Sequence, residues 1–231
     1  YGSFDYETCQ NLVEAKNIKR TLEIAKDKRL AAEISEVVEG PEDPAVKALK
    51  VEMSVIRCAY TSLWERALAL KGVDKGATHL VGVRADGINI TTVLRMKKLG
   101  FSPEQIMENL IPVYYTISEG ELKTAASTAT EKDAAKVLTG TRYGHVISPL
   151  LSIYEVREDL SIFEITFKRF HAIECEKAFY KPFHLAEVLA YVYLKLYEVR
   201  DLIAILTAKQ MNIPPEKVES SLILHQPLYP M

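Results

Sequence analysis

Displaced against itself by 112 residues, the chain meets its own likeness over several consecutive segments. The run from Asp86 through Asn89 and Arg95 to Lys97 falls on Glu198, Asp201, Thr207 and Lys209. Beyond it Phe101 meets Ile213, Pro103 meets Pro215, Glu104 meets Glu216, Ile106 meets Val218 and Leu110 meets Leu222. Upstream, Glu52, Met53, Ser54, Val55 and Arg57 face Glu164, Ile165, Thr166, Phe167 and Arg169. Near residue 30 the register drifts by one, with Arg29 facing Arg142 and Ile34 facing Ile147. Chance similarity would need a new offset at each segment, so one offset points to a duplicated unit. A period this long exceeds the common solenoid repeats. The reading is two copies of a domain, 1–112 and 113–231.

The unit is helical. Leu12, Ala15, Ile18, Leu22, Ala25, Leu30, Ile34 and Val37 recur at helical spacing, with Lys16, Lys19, Arg20, Glu23 and Lys26 between them. Proline lacks a donor and fixes the backbone, so the stretch from Gly40 to Pro44 breaks the pattern. A second helix is expected over 46–71 and a third over 79–99, the latter ending at Gly100. Ser102 then suits an N-cap and Pro103 a first helical position. After Ser118 the spacing predicts helices over 121–126, 131–138, 143–155, 161–179 and 184–211. Val113 to Ile117 is the only strand-like stretch, and it is too short to force a sheet. The fold class is all-α.

Composition narrows the function. The 231 residues carry 29 basic and 31 acidic side chains, a net charge of −2, which gives no electrostatic ground for a nucleic-acid partner. Cys9, Cys58 and Cys175 are odd in number and far apart, which fits neither a disulfide framework nor a zinc cluster, and suits a reducing compartment. The most apolar stretch, 185–206, contains Glu187, Lys195, Glu198, Arg200 and Asp201, too many charges for a membrane span.

Chemistry is sparse. The histidines at 79, 145, 171, 184 and 225 show no ligand spacing, so no metal is expected. His171, Glu174 and Cys175 share adjacent helical faces and suggest a Cys–His pair, but no orienting group accompanies them, and amphipathic packing is the favoured reading. The glycines are not followed by the Gly-Lys-Ser/Thr of a phosphate loop, so no nucleotide or other cofactor is expected. Tyr191, Tyr193 and Tyr197 read as packing residues with a polar tip. In each copy an acidic residue precedes Asn89 or Asp201 by three positions, placing both on one helical face. That face is either a solvated edge or a polar stripe aimed into a shared cavity or at a partner.

The run of Asp86, Asn89, Leu94, Arg95 and Lys97, followed by Phe101 to Glu104 and Leu110 to Pro112, resembles the central-domain signature of the family of V/A-type ATPase C subunits. Phe183 to Tyr191, with Lys195, Glu198, Arg200 and Asp201, is similar to that family's last domain, and Tyr1 to Phe4 resembles the opening of its second. Asp201 stands where Asn is commoner in the family, and Thr207 where the other copy has Arg95. The resemblance implies three pseudo-equivalent domains around a funnel, of which this chain carries two, the N-terminal third being absent. It also implies a non-catalytic socket between the rotor shaft, made of the D and F subunits, and the membrane proteolipid ring, peripheral on the cytoplasmic face. The docking candidates are the repeated polar positions Asp86, Asn89, Arg95 and Lys97 with Glu198, Arg200, Asp201 and Lys209. The rival readings are a helical enzyme domain using Glu198 and Asp201 as an acid–base pair, and a generic helical adaptor.

Overall fold

The computed structural model describes residues 5–15, 17–25, 28–40, 43–72, 74–180, 184–224 and 226–229. Tyr1 to Phe4, Phe183 and His225 lie outside them. Among the described residues every regular element is a helix: α1 (Tyr6–Glu14), α2 (Ile18–Ala25), α3 (Lys28–Glu39), α4 (Pro44–Ala69), α5 (Lys75–Lys98), α6 (Pro103–Glu108), α7 (Glu119–Ala126), α8 (Glu131–Leu138), α9 (Gly144–Arg157), α10 (Ser161–Ala178), α11 (Leu185–Gln210) and α12 (Pro215–Glu219). The chain divides into two compact units, Tyr1–Ala59 and Tyr60–Met231.

The first unit holds α1 to α3 and the start of α4. Asp5 caps α1 by accepting the Thr8 amide at 2.7 Å. The apolar periodicity over 12–37 is divided among three helices, and the break between the first two is at Ala15, where the backbone turns extended (ψ 120°). Lys47 donates to the Val38 carbonyl at 2.9 Å, tying the start of α4 to the end of α3.

The second unit is built round α5, which is buried on nearly every side. Its first turns put Leu80 in a cluster with Ala172 and Cys175 of α10 and Ala186, Ala190, Tyr193 and Tyr197 of α11. Its last turns put Ile90, Val93, Leu94 and Met96 in the main core, with Ile106, Leu122, Ala125, Ala134, Leu138, Val146, Ile147 and Phe163. Such tight packing leaves no room for a side chain at Gly82. A Cβ on Gly82 would lie 2.3 Å from the Tyr115 ring.

Helix ends follow the sequence signals. α5 starts four residues before the expected position because Asp74 caps it, accepting the Gly76 amide at 2.8 Å. The other oxygen of the same carboxylate accepts the amide of Ala186, in the first turn of α11, at 2.7 Å. Burial pushes the Asp74 carboxyl up, but the amides of Ala186, Gly76 and Ala77 outweigh it and hold the group below the usual range. At the far end Gly100 takes a left-handed φ of 81°, its amide bonds Lys97 O, and the Phe101 amide reaches Met96 O at 3.1 Å. This is a Schellman motif. α11 ends in the same way: Asn212 has φ 54°, and the Ile213 amide reaches Ala208 O at 2.8 Å. Gly and Asn are the residues that enter this conformation most easily. Ser102 and Gln105 form the capping box of α6, in keeping with the N-cap expected at Ser102.

Candidate functional site

The repeated polar stripe turns inward on α5. Asp86 is fully buried; it accepts the amides of Tyr115 at 3.0 Å, Thr116 at 2.7 Å and Ile117 at 3.3 Å, and the Tyr143 hydroxyl at 2.9 Å. Burial pushes its carboxyl up, against the pull of these donors, and the neighbouring Asp86 helps burial drive the Tyr143 hydroxyl up. Residues 113–117 form no strand: the amides of Tyr115, Thr116 and Ile117 go to the Asp86 side chain and that of Val113 to the Ile111 carbonyl. Asn89 is also fully buried; its Nδ2 donates to the Ile111 and Val113 carbonyls and its Oδ1 accepts the Ile111 amide at 2.8 Å. The solvated-edge reading fails for α5, and these two residues organise the segment that follows α6.

On α11 the counterparts divide. Asp201 is buried and accepts the Ile223 amide at 3.0 Å and the Leu224 amide at 2.9 Å. Glu198, at the Asp86 position, pairs instead with Lys195 on its own helix. Arg200 is half-exposed and lies 3.6 Å from Glu164 of α10. Lys97 donates to the Ala126 carbonyl at the end of α7, while Arg95 and Lys209 are exposed. The eight candidates therefore form no single cluster: Asp86, Asn89 and Asp201 bind backbone within the fold, and Arg95, Arg200 and Lys209 face outward.

Two groups carry weight that the sequence pattern did not assign. Arg169, nearly fully buried, donates to the carbonyls of Leu222 at 2.9 Å, Pro227 at 2.8 Å, Ser220 at 3.1 Å and Glu219 at 3.3 Å. It gathers the segment after α12 onto α10; its match with Arg57 in the 112-residue register was the available signal. Next to the start of α5, a cleft of about 700 Å3 is lined by Lys71, Asp74, Lys75, His79, Tyr115, Glu174, Lys177 and His184. There His79 Nε2 lies 2.8 Å from Glu174 and Nδ1 lies 3.2 Å from the Tyr115 hydroxyl. Burial, then the charges of Asp86 and Glu174, push the Tyr115 hydroxyl up, so the row ends in a protonated phenol, a poor nucleophile.

The Cys–His pair resolves as packing. His171 Nδ1 meets the Tyr197 hydroxyl at 2.9 Å and Nε2 the Leu80 carbonyl at 3.0 Å. Burial pushes the ring down to about 3 and the Cys175 thiol up to about 12, opposite to the shifts an activated pair needs. Tyr193 and Tyr197 are buried as expected, but Tyr191 is exposed. It belongs to an apolar surface on α11 that includes Val192, Leu196, Val199, Leu202, Ile203 and Leu206. No helix of the described residues is long and apolar enough to cross a membrane.

Comparison with known proteins places this helical body. The chain is similar to the C subunit of the A-type ATP synthase of Desulfurococcus sp. (strain SY), 28% identical over 211 residues, 90% of this chain and 55% of the relative. It is 23% identical to that of Methanothermobacter thermautotrophicus over 224 residues, 96% of this chain and 58% of the relative. That of Methanocaldococcus jannaschii is 28% identical over 146 residues, 63% of this chain and 37% of the relative. The chain thus spans about half the length of the curated relatives it matches. No solved structure matches it. The ATP synthase (C/AC39) subunit family matches residues 1–221, which include α5, α11 and the segment that α5 holds, and the chain belongs to that family.

Proposed function

We propose that the chain is a non-catalytic part of the central stalk of an A-type or V-type ATPase, a socket joining the rotor shaft, made of the D and F subunits, to the membrane proteolipid ring. Family membership, and relatives that are named as the C subunit of A-type ATP synthases, support a place in that complex. The observation that carries the socket reading is the use of the polar residues. Asp86, Asn89, Asp201 and Arg169 all bind the chain's own backbone, bracing the loops against the long helices. A close-packed body braced in this way deforms little under load and suits the transfer of torque.

In this reading residues 1–112 and 113–231 are two of three domains around a funnel, attached at the cytoplasmic face of the membrane. Arg95, Arg200 and Lys209, with Glu198 beside them, meet shaft or ring. Asp86, Asn89, Lys97 and Asp201 hold those surfaces in place. The test is retention of purified D–F shaft, and separately of detergent-solubilised ring, on the tagged chain. Binding of at least one, weakened by Arg95→Glu with Arg200→Glu, is expected. Binding of neither overturns the reading.

A further inference from the structure

Where α5, α10 and α11 pack together, three cations share one carboxylate. Lys168 of α10, its side chain only 5% exposed, donates to Glu164 Oε1 one turn earlier, and Arg200 of α11 lies 3.6 Å from the same oxygen. Arg84 of α5 adds its charge, which acts on both Glu164 and Lys168. Burial, with the charges of Arg200 and Arg84 adding to it, brings the Lys168 ammonium down to about 8 against the pull of Glu164.

Arg84 itself is mostly buried, between the buried Val83 and Ala85, and its guanidinium has no hydrogen-bond or ion-pair partner among the described residues. Its charge reaches Tyr193 and Tyr197 of α11. The Tyr197 hydroxyl is joined to His171, but that of Tyr193, a residue 7% exposed, has no partner. A guanidinium offers five donors in a fixed fork, and a buried charge left without a counter-charge is strongly unfavourable. The unmet groups are thus a cation and a hydroxyl that can donate. Water would serve the hydroxyl and leave the charge uncompensated, whereas an anion serves both. The excess of two positive charges matches a divalent oxyanion. Lys168 and Tyr193 offer almost no surface to a macromolecule, while Glu164 and Arg200, about half exposed, keep the group within reach of a small solute.

We propose that Arg84, Lys168 and Tyr193 form a binding site for a small oxyanion of the phosphate or sulfate type, with Arg200 at its mouth. The Arg84 fork holds two oxygens, as it does with carboxylates and phosphates generally, and the Tyr193 hydroxyl and Lys168 ammonium donate to the others. This goes beyond the stalk reading and does not depend on it.

Thermal unfolding of the full chain at neutral pH, in inorganic phosphate and in sodium chloride of equal ionic strength, tests the proposal. At about ten times its Kd, phosphate should raise Tm by about 3–5 °C over the chloride control. Arg84→Met keeps most of the stem and removes the charge. In chloride this variant should be at least as stable as the natural chain, since no partner is orphaned, and the phosphate increment should vanish. Tyr193→Phe should fold normally and weaken phosphate binding, read by isothermal titration, about ten-fold. If Arg84→Met lowers Tm in chloride, Arg84 is paired within the fold and the proposal falls. It falls too if that variant binds phosphate as the natural chain does, because the anion then sits elsewhere. Phosphate without effect beyond chloride overturns it, as does a response to an acidic peptide alone.

Discussion

Asn89 and Asp201 each accept the amide of the residue twenty-two positions downstream, Ile111 at 2.8 Å and Ile223 at 3.0 Å. The two differ in what else they can do. Asn89 also donates to two carbonyls, whereas Asp201 accepts a second amide, that of Leu224. Exchanging the two residue types should therefore be unequal in effect. Asn89→Asp turns a buried charge toward the Ile111 and Val113 carbonyls and should cost about 3 kcal/mol or more. Asp201→Asn keeps one accepting oxygen and should cost about 1 kcal/mol. Urea unfolding of both variants measures the gap, and equal losses would show that the two residues do not brace their loops in the way described.

Gly82 leaves room for the Tyr115 ring, and Tyr115 offers its amide to Asp86. Gly82→Ala should displace the ring and cost about 2–3 kcal/mol by overpacking. Adding Tyr115→Ala should recover part of that loss, a coupling visible in a double-mutant cycle. Strict additivity would place the strain elsewhere.

His171 folds as a neutral ring, held down to about 3 by burial, with the Arg84 charge adding to it. Its unfolded value is near 6.5, so between these limits the unfolded chain binds the extra proton. The contribution is whole above pH 6.5 and falls by about 1.4 kcal/mol per pH unit below it. Urea unfolding at pH 5 should show about 2 kcal/mol less stability from this group than at pH 7. His171→Gln should flatten the pH dependence; an unchanged slope would mean that another group carries it.

The thiols should sort by environment. Cys9 is exposed, Cys58 and Cys175 are buried, and burial has driven the Cys175 thiol up to about 12. A thiol reagent at neutral pH should titrate Cys9 in the folded chain and the other two only after unfolding, since the thiolate is the reactive form. Rapid modification of Cys175 in the native protein would contradict its placement.

The features legible in the sequence are those whose cause is local. Ser102 and Pro103 announce α6, and Gly100 the end of α5, because caps and left-handed turns involve only a few neighbouring residues. The three-helix division of residues 12–37 is hidden, since apolar spacing continues across a break that a single extended residue such as Ala15 can make. Asp86 and Asn89 do share one helical face. Their direction cannot be read from the pattern, because their partners are backbone amides and carbonyls, which any residue supplies. Arg169 is obscure for the same reason. The open face of α11 is obscured because apolar residues lie on more than one of its faces: Ala190, Tyr193 and Tyr197 are buried while Leu196, Val199 and Ile203 lie at the surface, and spacing alone does not say which face is covered.

The single Asp74 carboxylate that caps both α5 and α11 acts as a shear key at their common origin. Two rods laid side by side bend easily if they can slip past each other, and far less once one end is pinned against slip. The Leu80 carbonyl and Tyr197 hydroxyl, joined through His171, add a second pin further along. A sideways push on α11 is thus taken up by a two-helix beam, stiffer than the sum of its parts, and loosening Asp74 alone should soften the beam before any core residue moves.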